Sequence, residues 1–404
     1  MEKLEKLFAS LHSELIPYYR SWAHDMPMIV SPKRDRELHE IQRVLYKACE
    51  YYTHHYRDYL EIIPYEDKIL RILDYVEYEK KVPFRAGTFR PDYLICEDGS
   101  LRVCEITSRF FGNGYFLSYF MERAGEVFAE EAGVTDRISY FEEFLQYMAG
   151  MMPKDTKRLL VVKSADKSDS IRLYVPFYEA LGMKAEILEA EDVEDSIGKF
   201  KDSMMVSALN QKDLLSFSDD TLKLMADFGM RNDFRTIFLL HDKRFFNLFF
   251  RDEFTDRCLT AEETEFLRAH TIKTAIRGTD PEMWEEARRH KDGYILKHYC
   301  LGKSEQVYAG CLTDEKEWEK LFESRATDHM ILQPFMRQRL FPTVWKGQQL
   351  DDYVSGTILC VDDRYFGTGL FRTSTRPVIN QTDAHKVAQL ITAQRDKFEQ
   401  YHEL

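Results

Sequence analysis

"RPDYLICEDGSLRVCEIT", residues 90–107, holds two short runs of strand-forming residues on either side of Asp98-Gly99. An Asp-Gly pair supplies the backbone that a tight turn demands, so the stretch reads as a β-hairpin, Arg90 to Cys96 against Leu101 to Thr107. Its second strand carries a carboxylate. Side chains alternate along a strand, which sets Leu101, Val103, Glu105 and Thr107 on one face and Cys104 and Ile106 on the other. A buried carboxylate is expensive unless a cation or donor meets it. The hairpin therefore predicts a positive partner opposite Glu105, either an arginine such as Arg90 or Arg372 or a metal ion.

Upstream, residues 1 to about 80 are helical in pattern, with Leu38, Ile41, Val44, Leu45, Ala48 and Tyr52 at spacings of three and four. The tyrosines of "CEYYTHHYRDYLEIIPY" at that spacing read as core and rim packing, and His54-His55 as surface histidines. Downstream, "FFGNGYF" (110–116) is either a substrate-facing turn or an ordinary strand-to-helix turn using its glycines for positive φ. A helical run to about Met152 follows, interrupted near Gly133. Leu159 to Val162, a helix over about 170–181 and Ala185 to Leu188 then form a βαβ unit, which predicts a parallel sheet. "SMMVSA" reads as a strand, "DDTLKLMADFGM" as a helix and "TIFLLHDKRFFNLFF" as a strand running into a helix. Beyond 265 helices are expected at 281–290, 314–324 and 382–400, and strands at 293–298, 329–334, 354–361 and 364–372.

The 404 residues carry a formal net charge of -13 with both signs interspersed, which argues against a nucleic-acid surface. Seven cysteines, none spaced Cys-x-x-Cys, read as reduced thiols of a cytosolic protein. The N-terminus lacks a signal-peptide pattern and no stretch is long and apolar enough to span a membrane, so a soluble, cytoplasmic protein is expected. His-Glu-x-x-His, Gly-x-Ser-x-Gly and P-loop patterns are missing, which lowers zinc protease, serine hydrolase and P-loop NTPase readings.

Three further stretches carry chemistry. "DGYILKHYCLGKSEQVYAG" (292–310) places Lys297 on an apolar strand before a loop with Gly302, Lys303 and Ser304, a plausible phosphate grip. "FLLHDKRFF" (238–246) offers Lys243 after an apolar run. "MILQPF" (330–335) breaks a strand at Gln333-Pro334, a hinge whose free backbone groups suit an adenine edge.

The order of these elements, closed by "LFRTSTRPVIN", resembles the circularly permuted branch of the ATP-grasp superfamily and is similar to eukaryotic-type glutathione synthetase and glutathionylspermidine synthase. The "RPDY" and "EIT" segments match that branch's hairpin, and "LHDKRFFNLFF" looks like a segment of glutathionylspermidine-synthase-like chains; the likeness covers 84–120 and 235–380. It implies an α/β (α+β) fold of ATP-grasp architecture, with a helical N-terminal region (1–83), a metal-ligand hairpin with helices (84–154), a βαβ substrate subdomain (155–234) and a nucleotide-binding region (235–404). It further implies an ATP-dependent, ADP-forming carboxylate-amine ligase that works through an acyl phosphate. By the same resemblance Glu105, with Thr107 beside it, binds Mg²⁺; Lys243 and Lys297 hold ATP phosphates; the backbone around Gln333 and Phe335 meets adenine; and Arg90 and Arg372 hold the substrate carboxylate.

Departures are specific: Thr107 stands for the family's Asn, Leu301 for an acidic residue and Ser374 for a lysine, with Glu305 and Asn380 as spare metal ligands. The expected partners are a small carboxylate and a small amine, with no nucleic acid and no membrane; a homodimer and a carrier-protein-borne substrate are both compatible. Two other classes fit the same motifs. One is an ATP-grasp kinase of a small hydroxylic metabolite, the other a nucleotide-binding scaffold with a weakened site.

Overall fold

In the computed structural model, residues 24, 26–151, 158–164, 174–180, 182–201, 203–302, 304–345, 347–379, 385–399 and 401–404 are described. The helix Pro32–His55 starts where the Ser31 hydroxyl accepts from the Arg34 N–H at 3.2 Å and Pro32 occupies the first turn. Leu38, Ile41, Val44, Leu45, Ala48 and Tyr52 are all buried on its inner face, as the spacing predicts. Tyr52, Tyr56 and Tyr59 pack in the same core, whereas His54 and His55 are exposed.

That core lies under a seven-stranded sheet. β2 (Thr88–Ile95) and β3 (Leu101–Thr107) form the expected hairpin, with β1 (Met28–Val30) belonging to a separate sheet. The long β12 (Gln348–Val361) pairs antiparallel with β2, and also with β11 (Leu340–Trp345), β13 (Arg364–Thr368) and β14 (Phe371–Ser374). β15 (His385–Val387) closes the edge against β14. One face of this sheet is apolar: Phe89, Tyr93, Ile95, Val354, Ile358 and Phe371 join the main core. The other face presents Arg90, Asp92, Ser355, Thr357 and Arg372 to a cavity. β2 thus alternates dry and polar along its length, which is what a strand with one buried face requires.

β3 does not keep the simple alternation. Asp92 stands opposite Glu105 and Tyr93 opposite Val103, so Cys104 is an extra residue and the strand carries a β-bulge there. The bulge shifts the phase: Leu101 and Val103 stay in the core, Ile106 joins them, and Cys104, Glu105 and Thr107 line the cavity. The expectation that Val103 and Glu105 share a face is therefore corrected.

The βαβ unit is present, with β4 (Arg158–Lys163) central and parallel to β5 (Lys184–Glu189) and β6 (Met204–Ala208), and the helix Tyr174–Ala180 between the first two. A four-stranded antiparallel sheet follows in the order β7 (Ala275–Ile276), β10 (Met330–Pro334), β8 (Tyr294–His298) and β9 (Val307–Ala309). Helices Pro281–Arg289 and Glu315–Glu323 cover it, with Trp284, Trp318 and Phe322 in a core of their own. The mixed α+β class expected from the sequence holds.

Several segments differ from expectation. Of the stretch to about residue 80 expected to be helical, 1–23 and 25 lie outside the described residues and β1 is a strand. Residues 236–240 are a π-helical turn followed by a 3₁₀ helix over Lys243–Phe250, not a strand. Within the segment expected to be the C-terminal helix, β15 and β16 (Gln389–Ile391) are strands. β16 and β17 (His402–Glu403) flank β1 in a parallel three-stranded sheet. Among the described residues, no helix is long and apolar enough to cross a membrane.

Candidate functional site

The polar face of the seven-stranded sheet, β8 and β10 of the four-stranded sheet, and the segment at 241–243 enclose a cavity of ≈ 240 Å³. Arg90, Glu105, Thr107, Lys243, Lys297, Gln333, Phe335 and Arg372 all line it, so residues spread over 283 positions of sequence meet in one place. Of the spare metal ligands, Glu305 is exposed and outside the lining, and Asn380 lies outside the described residues, as does Lys303. Six cationic side chains (Arg90, Arg109, Lys243, Lys297, Arg372, Lys386) face two carboxylates (Asp92, Glu105). In a chain of net charge -13 this local excess of positive charge draws anions inward.

The partner of Glu105 is Lys243, with Nζ 3.3 Å from Oε2. Burial works to raise the Glu105 pKa, but Lys243 and Lys297 outweigh it, with His241 and Arg372 adding to their pull, and hold the carboxyl at about 2. Lys243 is itself buried and donates to the Leu301 carbonyl at 2.6 Å. Its position is locked from below. Arg244 next to it forks onto Asp242 and stacks 4.0 Å over Tyr299, and Phe245 stacks 4.6 Å from Tyr52 of the long helix. Lys297 sits mid-strand in β8, between Ile331 of β10 and Val307 of β9.

Neither arginine pairs with Glu105; both meet Asp92. Arg90 grips it with Nε at 2.7 Å and Nη2 at 3.0 Å, and Arg372 Nη2 reaches the second oxygen at 2.8 Å. Arg90 gives a third bond, from Nη1 to the Asn113 carbonyl at 3.0 Å. Gly114 makes room for that geometry: its φ is +85°, and a Cβ there would fall 2.6 Å from Arg90 Nη1. The "FFGNGYF" turn uses positive φ at Gly112 and Gly114 and also lines the cavity.

Asp92, Arg109, His241 and Lys386 were not singled out from sequence. Asp92 had a signal, since it lies two residues from Arg90 on a strand and shares its face. His241 is buried, with Nδ1 3.1 Å from the Ile106 carbonyl and 3.4 Å from the Ser108 N–H. The shorter contact places the proton on Nδ1, leaving Nε2 a buried lone pair without a partner among the described residues. Burial, then Lys243, lowers its pKa to about 3, so the imidazole is neutral. Burial and Arg372 likewise lower the Lys386 pKa to about 8.

At the hinge, the Phe335 N–H already donates to the Gly293 carbonyl at 2.8 Å, so it is not open to a ligand. Gln333 donates to Thr274 Oγ1 at 2.8 Å, and its Oε1 is a buried acceptor with no donor among the described residues. A buried acceptor of this kind suits an amino group entering the cavity.

Comparison with known proteins adds three findings. A family model described as the AnkG N-terminal domain matches residues 42–239, which include Arg90, Asp92, Glu105 and Thr107 and stop short of Lys243. No curated protein matches the chain. Among solved structures, a glutathione synthetase-like effector (GSS30) from Globodera pallida, in its apo form, aligns over 96% of this chain and 97% of its own, at 12% identity and a TM-score of 0.52. The fold is glutathione synthetase-like.

Proposed function

We propose that this chain is an ATP-dependent ligase of the ATP-grasp type that joins a small carboxylate to a small amine. The observation that carries the reading is the convergence of Lys243, Lys297, Arg90 and Arg372 around Glu105 in one cavity. Phosphoryl transfer needs positioning and charge neutralisation more than a nucleophilic side chain, and this cavity offers both.

Lys243 and Lys297 take the phosphates of ATP, and Gln333 Oε1 accepts from the adenine amino group. Arg372 gives Asp92 only one of its N–H groups in the contacts above, so its guanidinium has donors left for the acid substrate; Arg90, with three commitments, fixes the geometry. A substrate carboxylate oxygen attacks the γ-phosphorus and ADP departs. The amine then attacks the acyl carbon, phosphate leaves with the bonding pair, and the amine loses a proton to give the amide. Lys386, with its lowered pKa, stands by the arginine wall where a proton can be taken.

The residues present fit Mg²⁺. Asp92 already accepts three N–H bonds from two guanidiniums, whereas among the described residues Glu105 is met only by a 3.3 Å contact to Lys243 and keeps coordinating capacity for a hard cation. Glu105, with the Thr107 hydroxyl beside it, would hold the ion, which when bound neutralises charge on the phosphate oxygens. One protein carboxylate suffices where phosphates supply further ligands.

Calorimetry of ATP with and without Mg²⁺ tests the reading, comparing the wild-type chain with Lys297→Met and Glu105→Gln. Saturable, magnesium-dependent binding lost in both variants is expected, followed by ADP release that requires both an acid and an amine. ADP release with a hydroxylic metabolite alone would make it a kinase. ATP binding without any ADP release would leave a nucleotide-binding scaffold, and no binding at millimolar ATP sinks the proposal.

A further inference from the structure

On the sheet face opposite the cavity, His24, Asp352 and His385 bring one ligand atom each to within 4.8 Å of one another. His24 precedes β1, Asp352 is on β12 and His385 opens β15, so the cluster joins segments from both ends of the chain to the middle of the sheet. Thr373 and His385 are register partners on β14 and β15, as are Arg372 and Lys386. Strand alternation then sets the first pair toward this cluster and the second toward the cavity.

Four observations distinguish the cluster from a chance gathering of polar groups. Asp352 is fully buried, and its Oδ1 has no partner among the described residues, an arrangement that is costly for a carboxylate unless a cation meets it. Its other oxygen is oriented by Thr343 Oγ1 at 2.9 Å. His24 Nδ1 lies 3.3 Å from the Val344 carbonyl, and its Nε2 faces the cluster, 3.0 Å from Thr373 Oγ1 and 3.4 Å from Asp352 Oδ2. His385 is held by Trp345, stacked at 4.1 Å and 17°. A carbonyl behind one imidazole and a hydroxyl behind the carboxylate are the supports that metal ligands receive in protein sites.

We propose that His24, Asp352 and His385 bind a divalent transition-metal ion of the zinc class. Two imidazoles and one carboxylate favour a borderline-soft ion over Mg²⁺ or Ca²⁺, which prefer all-oxygen sites. Zinc at about 2 Å from each donor sets the donors roughly 3.3 Å apart, so small side-chain rotations close the site from its present spacing. His402 is the next imidazole, its ring 6.5 Å from that of His24 and its Nε2 buried with no partner among the described residues. The ion clips the segment before β1 to β12 and to β15, the strand that carries Lys386.

Zinc content of the full-length protein, dialysed against micromolar zinc with excess magnesium and measured by plasma mass spectrometry, tests the site. The wild type and Glu105→Gln are expected to retain one equivalent per chain. Asp352→Asn and His385→Gln are expected to bind at least about tenfold more weakly. The half-buried His385 can be changed without opening the core, and a cooperative melt of His385→Gln checks the fold. Zinc should raise the wild-type melting temperature and leave that of His385→Gln unmoved. A wild type that takes up no zinc, or a folded His385→Gln that binds it as the wild type does, overturns the proposal. Loss of zinc in Glu105→Gln alone would move the ion to the cavity and overturn it too.

Discussion

Lys243 stands with its ammonium 3.3 Å from the Glu105 carboxylate while it donates to the Leu301 carbonyl at 2.6 Å. The lysine therefore holds the carboxylate loosely and can turn to a phosphate. Lys243→Met should weaken ATP at least about tenfold, since a charge-assisted contact of roughly 1.5–3 kcal/mol is lost. A calorimetric isotherm superimposable on the wild type would remove Lys243 from the nucleotide site.

Acid stability follows from the same pair. The folded-state pKa of Glu105 lies at about 2, below its ordinary 4.5, so ionised Glu105 stabilises the fold fully above about 4.5 and less as pH falls toward 2. The stability difference between wild type and Glu105→Gln should therefore shrink over that window, as read by urea unfolding at a series of pH values. A difference that stays constant from pH 6 to about pH 2 would show that Glu105 is not held by the cavity's cations.

Asp92 anchors both arginines, so Asp92→Asn leaves the nearly buried Arg90 without its counter-charge. Breaking a buried pair from one side costs about 3–5 kcal/mol. The urea midpoint should fall accordingly. A loss under about 1 kcal/mol would mean that the pair is screened like a surface bridge.

Gly114 and Gly133 both have positive φ, +85° and +69°, but only Gly114 faces a side chain, Arg90 Nη1. Alanine at either position should cost roughly 1–2 kcal/mol from backbone strain. Gly114→Ala should add a loss of ligand affinity that Gly133→Ala does not show. Equal effects on binding would separate Arg90 from the site.

Much of this arrangement is legible in the sequence. Asp98-Gly99 marked the hairpin, and the order of the lysine, hinge and arginine segments pointed to residues that the fold gathers into one cavity. The Cys104 bulge was not readable, because a residue inserted into a strand changes the register without leaving a residue pattern of its own. Residues 236–240 are buried on every side, and an apolar run without a polar face looks the same as helix or strand. β16 and β17 escaped because their partner, β1, lies more than 350 positions away. Such pairing has no local pattern.

The bulge has a consequence for how substitutions are tolerated. Along β2 sensitivity should alternate with period two, Phe89, Tyr93 and Ile95 rejecting changes of volume while Arg90 and Asp92 reject changes of charge. Along β3 the rhythm should break once: Leu101 and Val103 keep time, then the beat slips by one residue at Cys104, so that Glu105 and Ile106 exchange the roles an unbroken strand would assign them. A saturation scan of residues 88–107 scored for stability would display that slip as a single dislocation in an otherwise regular stripe.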